Sequence, residues 1–166
     1  MKFFAVIDTN EQVIDNSNNP VAFAGYIEMQ SERPSYQHIA QADGSWLYPL
    51  ELAKAEKWQE IKELRVQKEQ AGLPYMGKVL DVDALSVQRI TTAVQAAQVA
   101  ISLGQDFKLN WKTQDNSFLA MNAQEVCGIP LALAKYNDEL HNKANELKAK
   151  IDQATTALEV ENVTWQ

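Results

Sequence analysis

The sequence predicts an α+β protein in which a small strand- and turn-rich N-terminal region precedes a C-terminal unit of three main helices with two β-hairpins. Two observations carry this prediction. Before residue 49, short apolar runs alternate with turns rich in Asn, Asp and Pro, which is typical of short strands. From residue 49 onward, apolar residues recur at helical spacing over long stretches with few Gly or Pro. We therefore divide the chain into a β/turn-rich region, 1–48, and a helical α+β domain, 49–166.

Composition limits the classes of protein to consider. The 166 residues suit one domain with at most a small appendage, and a hydrophobic content of 46% excludes a disordered chain. A net charge of −7 argues against nucleic-acid binding, which needs a basic surface. No stretch approaches the roughly 18 apolar residues of a spanning helix, and the apolar run after Lys2 stops at Asp8, too early for a signal peptide. We expect no nucleic-acid or membrane partner and folding in a reducing cytoplasm, with Cys127 as a free thiol.

The N-terminal region is predicted to contain three short strands. Residues 3–7 and 12–14 form two of them around a polar turn, and after a loop over 15–20 a third follows at 26–29. So few apolar residues give a marginal core. We therefore expect this region to depend on a partner or on the rest of the chain.

The first helix is predicted over 50–71, with Gly72 ending it in the left-handed conformation. A tight hairpin follows around Met76-Gly77. The buried face of the helix is predicted to carry Trp58, Ile61 and Leu64.

The second helix is predicted to begin after Asp83, whose side chain caps its free N–H groups, and to end at Gly104. Residues 107–111 then alternate apolar with polar and form a half-buried strand, which a turn leads into a partner strand over 118–121. The residues expected to face inward from this helix are Leu85, Ile90, Val94, Ala97 and Ile101.

Asn122 and Glu125 have the spacing of a capping box at the next helix start. Gly128 and Pro130 are predicted to end that short turn and begin a new helix, and the tail, 155–166, is predicted to add a closing strand. The helical stripes have two interpretations, a self-contained three-helix core or an intermolecular seam. The stripe of the last helix consists of Ile129, Leu133, Tyr136, Leu140, Ala144, Leu147 and Ile151.

Candidate chemistry is sparse. Cys127 and His141 are 14 residues apart near one helix, about 21 Å along its axis, so we do not expect a nucleophile–base pair. Asp81 and Asp83 could form a carboxylate pair, but an N-cap explains Asp83 better. The calcium-loop spacing that begins at Asp15 has Pro where the loop needs Gly, and we reject it. We predict no catalytic residue, no metal site and no cofactor, and hence not an enzyme.

The stretch from Trp58 to Ala100 resembles a domain of unknown function found in bacteriophage tail proteins. That family pairs a charged, Trp-containing helix with a Gly-bounded hairpin, an Asp-x-Asp step and an Ala-rich helix that holds a Ser and an Arg. The likeness continues through a later Trp and Asp-Asn pair to the last helix, from about Leu50 to Trp165, although Pro130 departs from the family's unbroken helix. The matching residues are Trp58, Gly72, Gly77, Asp81, Asp83, Ser86, Arg89, Trp111, Asp115 and Asn116.

A second stretch, Gly25 to Trp46, is similar to a segment common in phage tail-fibre proteins and tail-fibre assembly proteins. Together the two likenesses imply a phage or prophage tail-fibre-associated protein. We expect a non-enzymatic assembly chaperone that binds the trimeric tail fibre and assists its folding and trimerisation in the host cytoplasm. The alternative is a structural virion component of the tail fibre, tail tip or baseplate. A glycan-cleaving tail enzyme would need a carboxylate pair in a cleft, which the sequence does not locate.

The N-terminal region holds half of the chain's aromatic residues, and partly exposed aromatics commonly anchor interfaces. The strand over 3–7 could also add to the edge of a partner's sheet. The alternatives are that the rings pack this region onto the helical domain, and that a helical stripe serves a homo-oligomer. The residues predicted to bind the fibre are Phe3, Phe4, Tyr26, Tyr36, Trp46 and Tyr48.

Overall fold

The computed structural model describes residues 1–18, 20–21 and 23–166 and confirms the predicted α+β class. Asn19, the third ligand position of the rejected calcium-loop spacing, lies outside the described residues. The helices are α1 (Leu50–Gln70), α2 (Ala84–Ser102), α3 (Ala123–Gln153) and α4 (Ala157–Glu161). The strands are β1 (Lys2–Ala5), β2 (Gln12–Asp15), β3 (Ile27–Met29), β4 (Ile39–Ala40), β5 (Trp46–Leu47), β6 (Leu73–Tyr75), β7 (Lys78–Leu80), β8 (Lys108–Lys112) and β9 (Phe118–Asn122).

The described chain divides into two compact units. The first unit comprises Met1–Trp58 and Lys150–Thr164, and the second comprises Gln59–Ala149 with the last two residues. This division into units does not test the predicted boundary between residues 48 and 49. The division into a region 1–48 and a domain 49–166 therefore stays a prediction.

In the first unit, β1 is the central strand of a three-stranded antiparallel sheet with the order β2-β1-β3. A separate antiparallel pair joins β4 to β5. A small core of Ala5, Met29 and Ala40 is covered by the partly buried side chains of Phe3, Ile27 and Trp46. The three strands predicted from the sequence are present, whereas β4 and β5 were not predicted.

The second unit has the larger apolar core. Leu73 and Leu80 of the first hairpin, Ile90 of α2, and Val126 and Ile129 of α3 are all buried in it. The inward stripe predicted for the last helix is buried or half-buried along its whole length. Ile129, Leu133 and Tyr136 pack in the core of this unit, which supports the self-contained core over an intermolecular seam for that part of the stripe.

The first hairpin forms where the sequence predicts it. Met76 and Gly77 both have positive φ, 50° and 77°, which suits the tight turn between β6 and β7. Gly72 has a φ of 107°, as expected for the residue that ends α1, and it is buried.

Asp83 caps α2 as predicted. Its carboxylate accepts hydrogen bonds from the backbone N–H groups of Leu85 (2.9 Å) and Ser86 (3.1 Å). Two residues predicted to face inward do not, since Leu85 is 52% exposed and Ile101 is 46% exposed. Ile90 and Ala97 are buried and Val94 is half-buried, as predicted, whereas at the two ends of the stripe the buried residues are Ser86 and Ala100.

The predicted helix break at Gly128 and Pro130 is wrong, because α3 continues through both residues. The capping box at its start is confirmed, with reciprocal bonds between Asn122 and Glu125 of 2.7 and 3.0 Å. Val126 and Ile129 are fully buried, and this burial offsets the roughly 3 kcal/mol cost of an internal proline.

A hydrogen bond from the β6–β7 hairpin stabilises the first turns of α3. The Tyr75 hydroxyl donates to the carbonyl oxygen of Glu125 at 2.6 Å. Gly128 makes room for the Tyr75 hydroxyl, since a Cβ atom at this position would lie 2.7 Å from the hydroxyl oxygen.

The predicted closing strand in the tail is also wrong, because the short helix α4 forms there. A capping box between Thr156 and Glu159 starts this helix. Val160 and Val163 are buried, so the apolar tail residues pack as a helical turn and its continuation.

Candidate functional site

The predicted aromatic residues differ widely in accessibility. Tyr36 is 72% exposed, whereas Phe4 is only 1% exposed. The Phe4 ring packs edge-to-face on Phe23, with the ring centroids 6.0 Å apart. This burial corrects the expectation for Phe4, because a side chain enclosed in the first unit is not available to a partner.

Phe3 and Trp46 are half-buried and pack against the small core of the first unit. The Trp46 indole N–H donates to the carbonyl oxygen of Ser31 at 3.0 Å. Both rings therefore serve packing within the unit and are only partly accessible.

Tyr26 and Tyr48 are half-buried, and each hydroxyl donates to a carboxylate, that of Glu11 and that of Glu56, respectively. Each hydrogen bond to a carboxylate raises the pKa of the tyrosine above its usual value, since it stabilises the protonated hydroxyl. The ring of Tyr48 also contacts His38 edge-on, with the centroids 5.1 Å apart.

The expectation that the strand over 3–7 adds to a partner's sheet is wrong. This strand is β1, whose two edges are already paired with β2 and β3. The free edges of this sheet belong to β2 and β3, since an antiparallel three-stranded sheet exposes only its outer strands.

Several exposed apolar residues of the first unit are not among the residues predicted to bind, and Ile14, Phe23 and Leu47 are three of them. The exposure of Leu47 follows from the alternation of side chains along a strand. Its neighbour Trp46 faces the core, and successive strand residues face opposite sides. With Tyr36 these residues form what we call the N-terminal apolar set, defined as Ile14, Phe23, Tyr36 and Leu47.

A groove in the second unit was not predicted. It lies between α2 and β8 and has a volume of about 880 Å³. Leu85 and Arg89 of α2 and Phe107 and Trp111 of the β8 segment are among its lining residues. Five residues that carry the likeness to the phage domain also line it, namely Asp81, Ser86, Arg89, Trp111 and Asn116.

Asp115 fixes the hairpin turn at one end of this groove. Its carboxylate accepts hydrogen bonds from the hydroxyls of Thr113 (2.6 Å) and Ser117 (2.7 Å) and pairs with Lys78 (2.9 Å). The hydroxyls of Thr113 and Ser117, followed by the Lys78 ammonium, hold the pKa of Asp115 well below its usual range. The lysine belongs to β7, so this carboxylate also joins the two hairpins.

Asp115→Asn is expected to destabilise the protein at neutral pH and to reduce its sensitivity to acid. Because the folded pKa lies below the unfolded one, the carboxylate contributes its stability above about pH 4 and loses it as the pH falls through the folded pKa. Urea denaturation at several pH values between about 2 and 7 measures this, with Asp106→Asn, an exposed turn residue, as the control. A difference between wild type and Asp115→Asn that stays constant down to the lowest pH contradicts the assignment.

The remaining candidates for chemistry have structural explanations. His141 lies in an ionic cluster, with its Nε2 3.2 Å from a Glu69 carboxylate oxygen and its Nδ1 3.3 Å from the Arg65 guanidinium. Asp83 is occupied as the cap of α2. Within residues 1–18, 20–21 and 23–166, no three His, Cys, Asp or Glu side chains group as metal ligands.

Fold and surfaces together define a small α+β protein with an exposed apolar set in one unit and an open groove in the other. Residues 52–164 match the family described as Domain of unknown function (DUF4376). Because the match spans more than half of the chain, the protein belongs to this family. No curated protein and no solved structure matches the chain. No helix in the described ranges is long and apolar enough to cross a membrane.

Proposed function

We propose that this protein is a non-enzymatic assembly chaperone that binds a bacteriophage tail fibre and assists its folding and trimerisation in the host cytoplasm. The observation that carries the proposal is Tyr36, a largely exposed aromatic side chain. It lies within Gly25 to Trp46, the stretch similar to tail-fibre assembly proteins.

The surroundings of Tyr36 favour binding because they hold the residue in place before a partner arrives. The Arg33 guanidinium lies over its ring, 5.3 Å from the centroid. The Asn10 side-chain amide donates to the Tyr36 carbonyl oxygen at 3.0 Å, and Ser35 and His38 bond across the same turn at 2.8 Å. A preorganised aromatic side chain loses little conformational entropy on binding, which is a property of interface hot spots.

A chaperone also needs exposed apolar area that can cover a fibre chain before it trimerises. The other members of the N-terminal apolar set supply such area. Ile14 and Leu47 are exposed on short strands, and Phe23 contacts both Phe4 and Tyr26 with its ring. Binding of apolar side chains to an unassembled fibre would lower its tendency to aggregate.

Tyr36→Ala is expected to weaken binding to the tail fibre of the phage or prophage that encodes this protein by about 30-fold, the effect of a typical hot-spot residue. Isothermal titration calorimetry with purified fibre measures the affinity. The matched control is Phe118→Ala, which removes an equally exposed aromatic ring from the second unit. Unchanged affinity for Tyr36→Ala, with a loss for Phe118→Ala, contradicts the proposed surface.

Mass spectrometry of purified phage particles separates the chaperone from the alternative structural component. A chaperone that leaves the fibre after assembly is expected to be absent from particles or present at far below one copy per fibre. Stoichiometric amounts in particles would favour the structural component of the tail fibre, tail tip or baseplate.

A further inference from the structure

The groove of the second unit runs along the edge of β8 that faces away from β9. Just beyond the strand, the Gln114 N–H on this edge donates to the Val79 carbonyl oxygen of β7 at 3.0 Å, so the open part of the edge is that of β8 itself. Strand β8 pairs with β9 in a two-stranded sheet of the described chain. Residues Leu109 to Lys112 of this strand all line the groove, although their side chains alternate between the two faces, and Thr113 and Gln114 continue the lining beyond the strand. Since no β9 residue lines it, the groove contains the edge of β8 that faces away from β9.

The backbone pattern of the hairpin shows which groups this edge presents. The Thr113 N–H donates to the Ser117 carbonyl oxygen at 2.9 Å, so Thr113 belongs to a hydrogen-bonded pair. Pairs alternate along an antiparallel ladder, and Leu109 and Trp111 therefore also bond to β9. The N–H and C=O groups of Asn110 and Lys112 point to the opposite side, into the groove.

The charged lining residues of the groove have a small positive excess, Arg89 and Lys112 against Asp81, although the whole chain has a net charge of −7. Arg89 and Lys112 line it, and Lys108 lies on the same strand edge. No ion pair involves these three side chains in the part of the chain that the structure describes. Asp81 is the one acidic residue among the described lining residues.

The apolar residues that line the groove could contact every second side chain of an extended peptide bound there. Leu85 is exposed on the α2 side, and Trp111 and Phe107 are half-buried on the β8 side. Between them α2 presents the short side chains of Thr92, Ala93 and Ala96, which leave space beside the strand edge.

From this combination we infer that the groove binds an extended acidic segment of a partner protein, which adds as a third strand to the free edge of β8. The backbone of the segment bonds to Asn110 and Lys112, its carboxylates face Arg89 and Lys112, and its apolar side chains contact Trp111. A second copy of this chain fits less well. In a two-fold β8–β8 pair centred on Asn110, Lys108 would face Lys112, and like charges directly opposite are destabilising. The site belongs to the second unit and does not depend on the proposed function.

A defined peptide set tests this inference on the full chain. The probes are decapeptides in which Glu or Asp alternates with Val, Leu or Phe, and a matched set has Lys in place of the acidic residues. The acidic peptides are expected to bind, to change the fluorescence of Trp111, and to slow amide hydrogen exchange at Asn110 and Lys112 about tenfold or more, as measured by NMR. Trp111→Phe identifies the fluorescence change that comes from this tryptophan.

Charge reversal supplies the matched control. Lys112→Glu is expected to weaken binding of the acidic peptides about fivefold to tenfold, whereas Lys135→Glu, an exposed lysine on α3, should leave it unchanged. Equal binding of acidic and lysine peptides overturns the inference. Concentration-dependent protection of the Asn110 and Lys112 amides without peptide assigns the edge to a second copy instead. If no peptide binds at millimolar concentration, the lysines serve only to protect an edge strand from pairing, and the inference fails.

Discussion

Phe4→Ala is expected to lower the free energy of unfolding by about 3–5 kcal/mol, the cost of removing a buried aromatic ring from a packed site. The Phe4 side chain is almost completely enclosed, and its ring contacts Phe23 edge-to-face. The cavity left by the substitution would lie on one face of the sheet, opposite to the face that carries the side chains of Phe3 and Ala5.

Urea denaturation followed by far-UV circular dichroism measures this loss. The matched variant is Tyr36→Ala, which removes an exposed ring from the same unit and is expected to cost less than about 1 kcal/mol. The pair separates stability from binding, since Phe4→Ala should unfold the unit and Tyr36→Ala should leave it folded. Equal costs for the two variants would show that the packing described for Phe4 is wrong.

Gly72→Ala is expected to destabilise the protein by at least about 3 kcal/mol, because backbone strain and overpacking act together. Gly72 has a φ of 107°, which L-residues rarely adopt. A Cβ atom there would lie 2.5 Å from Cγ1 of Val79 and 2.9 Å from the carbonyl oxygen of Leu80. The valine could rotate, but the carbonyl belongs to the backbone of the hairpin and could move only with β7.

Gly77→Ala is the control that measures the cost of the left-handed backbone conformation without a steric clash. Gly77 has a φ of 77°, but a Cβ atom at this position would meet nothing within 4 Å. This variant is expected to cost about 1–2 kcal/mol from the left-handed conformation. Thermal and urea denaturation of both variants give the comparison, and a Gly72→Ala cost no greater than that of Gly77→Ala would exclude the close approach.

The elements that the sequence predicts correctly are those fixed by local chemistry. Asp83 caps α2 and the Asn122–Glu125 box starts α3, because side-chain oxygens satisfy backbone groups a few residues away. Met76-Gly77 likewise needs only its own backbone preference to form the turn. Such features depend on neighbours in sequence, so one sequence is enough to predict them.

The errors arise where packing over long distances decides the structure. Pro130 has the local properties of a helix start, yet the burial of Val126 and Ile129, which precede it, keeps α3 continuous. The predicted inward face of α2 was wrong at its two ends, because Leu85 and Ile101 are apolar but exposed. Apolar character alone does not say which of two neighbouring residues meets the core.

The same reason limits the prediction of the candidate site. Aromatic composition pointed to the N-terminal region, but it could not distinguish the enclosed Phe4 from the exposed Tyr36. The groove could not be predicted from the sequence for another reason. It depends on α2 lying beside the edge of β8 that faces away from β9. Alternation along residues 107–111 predicted the strand but not which of its edges stays free.

The most direct test of the proposed chaperone function is the yield of trimeric fibre in a host that expresses the fibre with and without this protein. Trimers that resist dissociation in detergent can be quantified by gel electrophoresis without heating. The proposal predicts that soluble trimer increases severalfold with the wild-type protein and much less with Tyr36→Ala at equal expression. An equal yield of trimeric fibre with and without the protein would contradict the assignment of a chaperone.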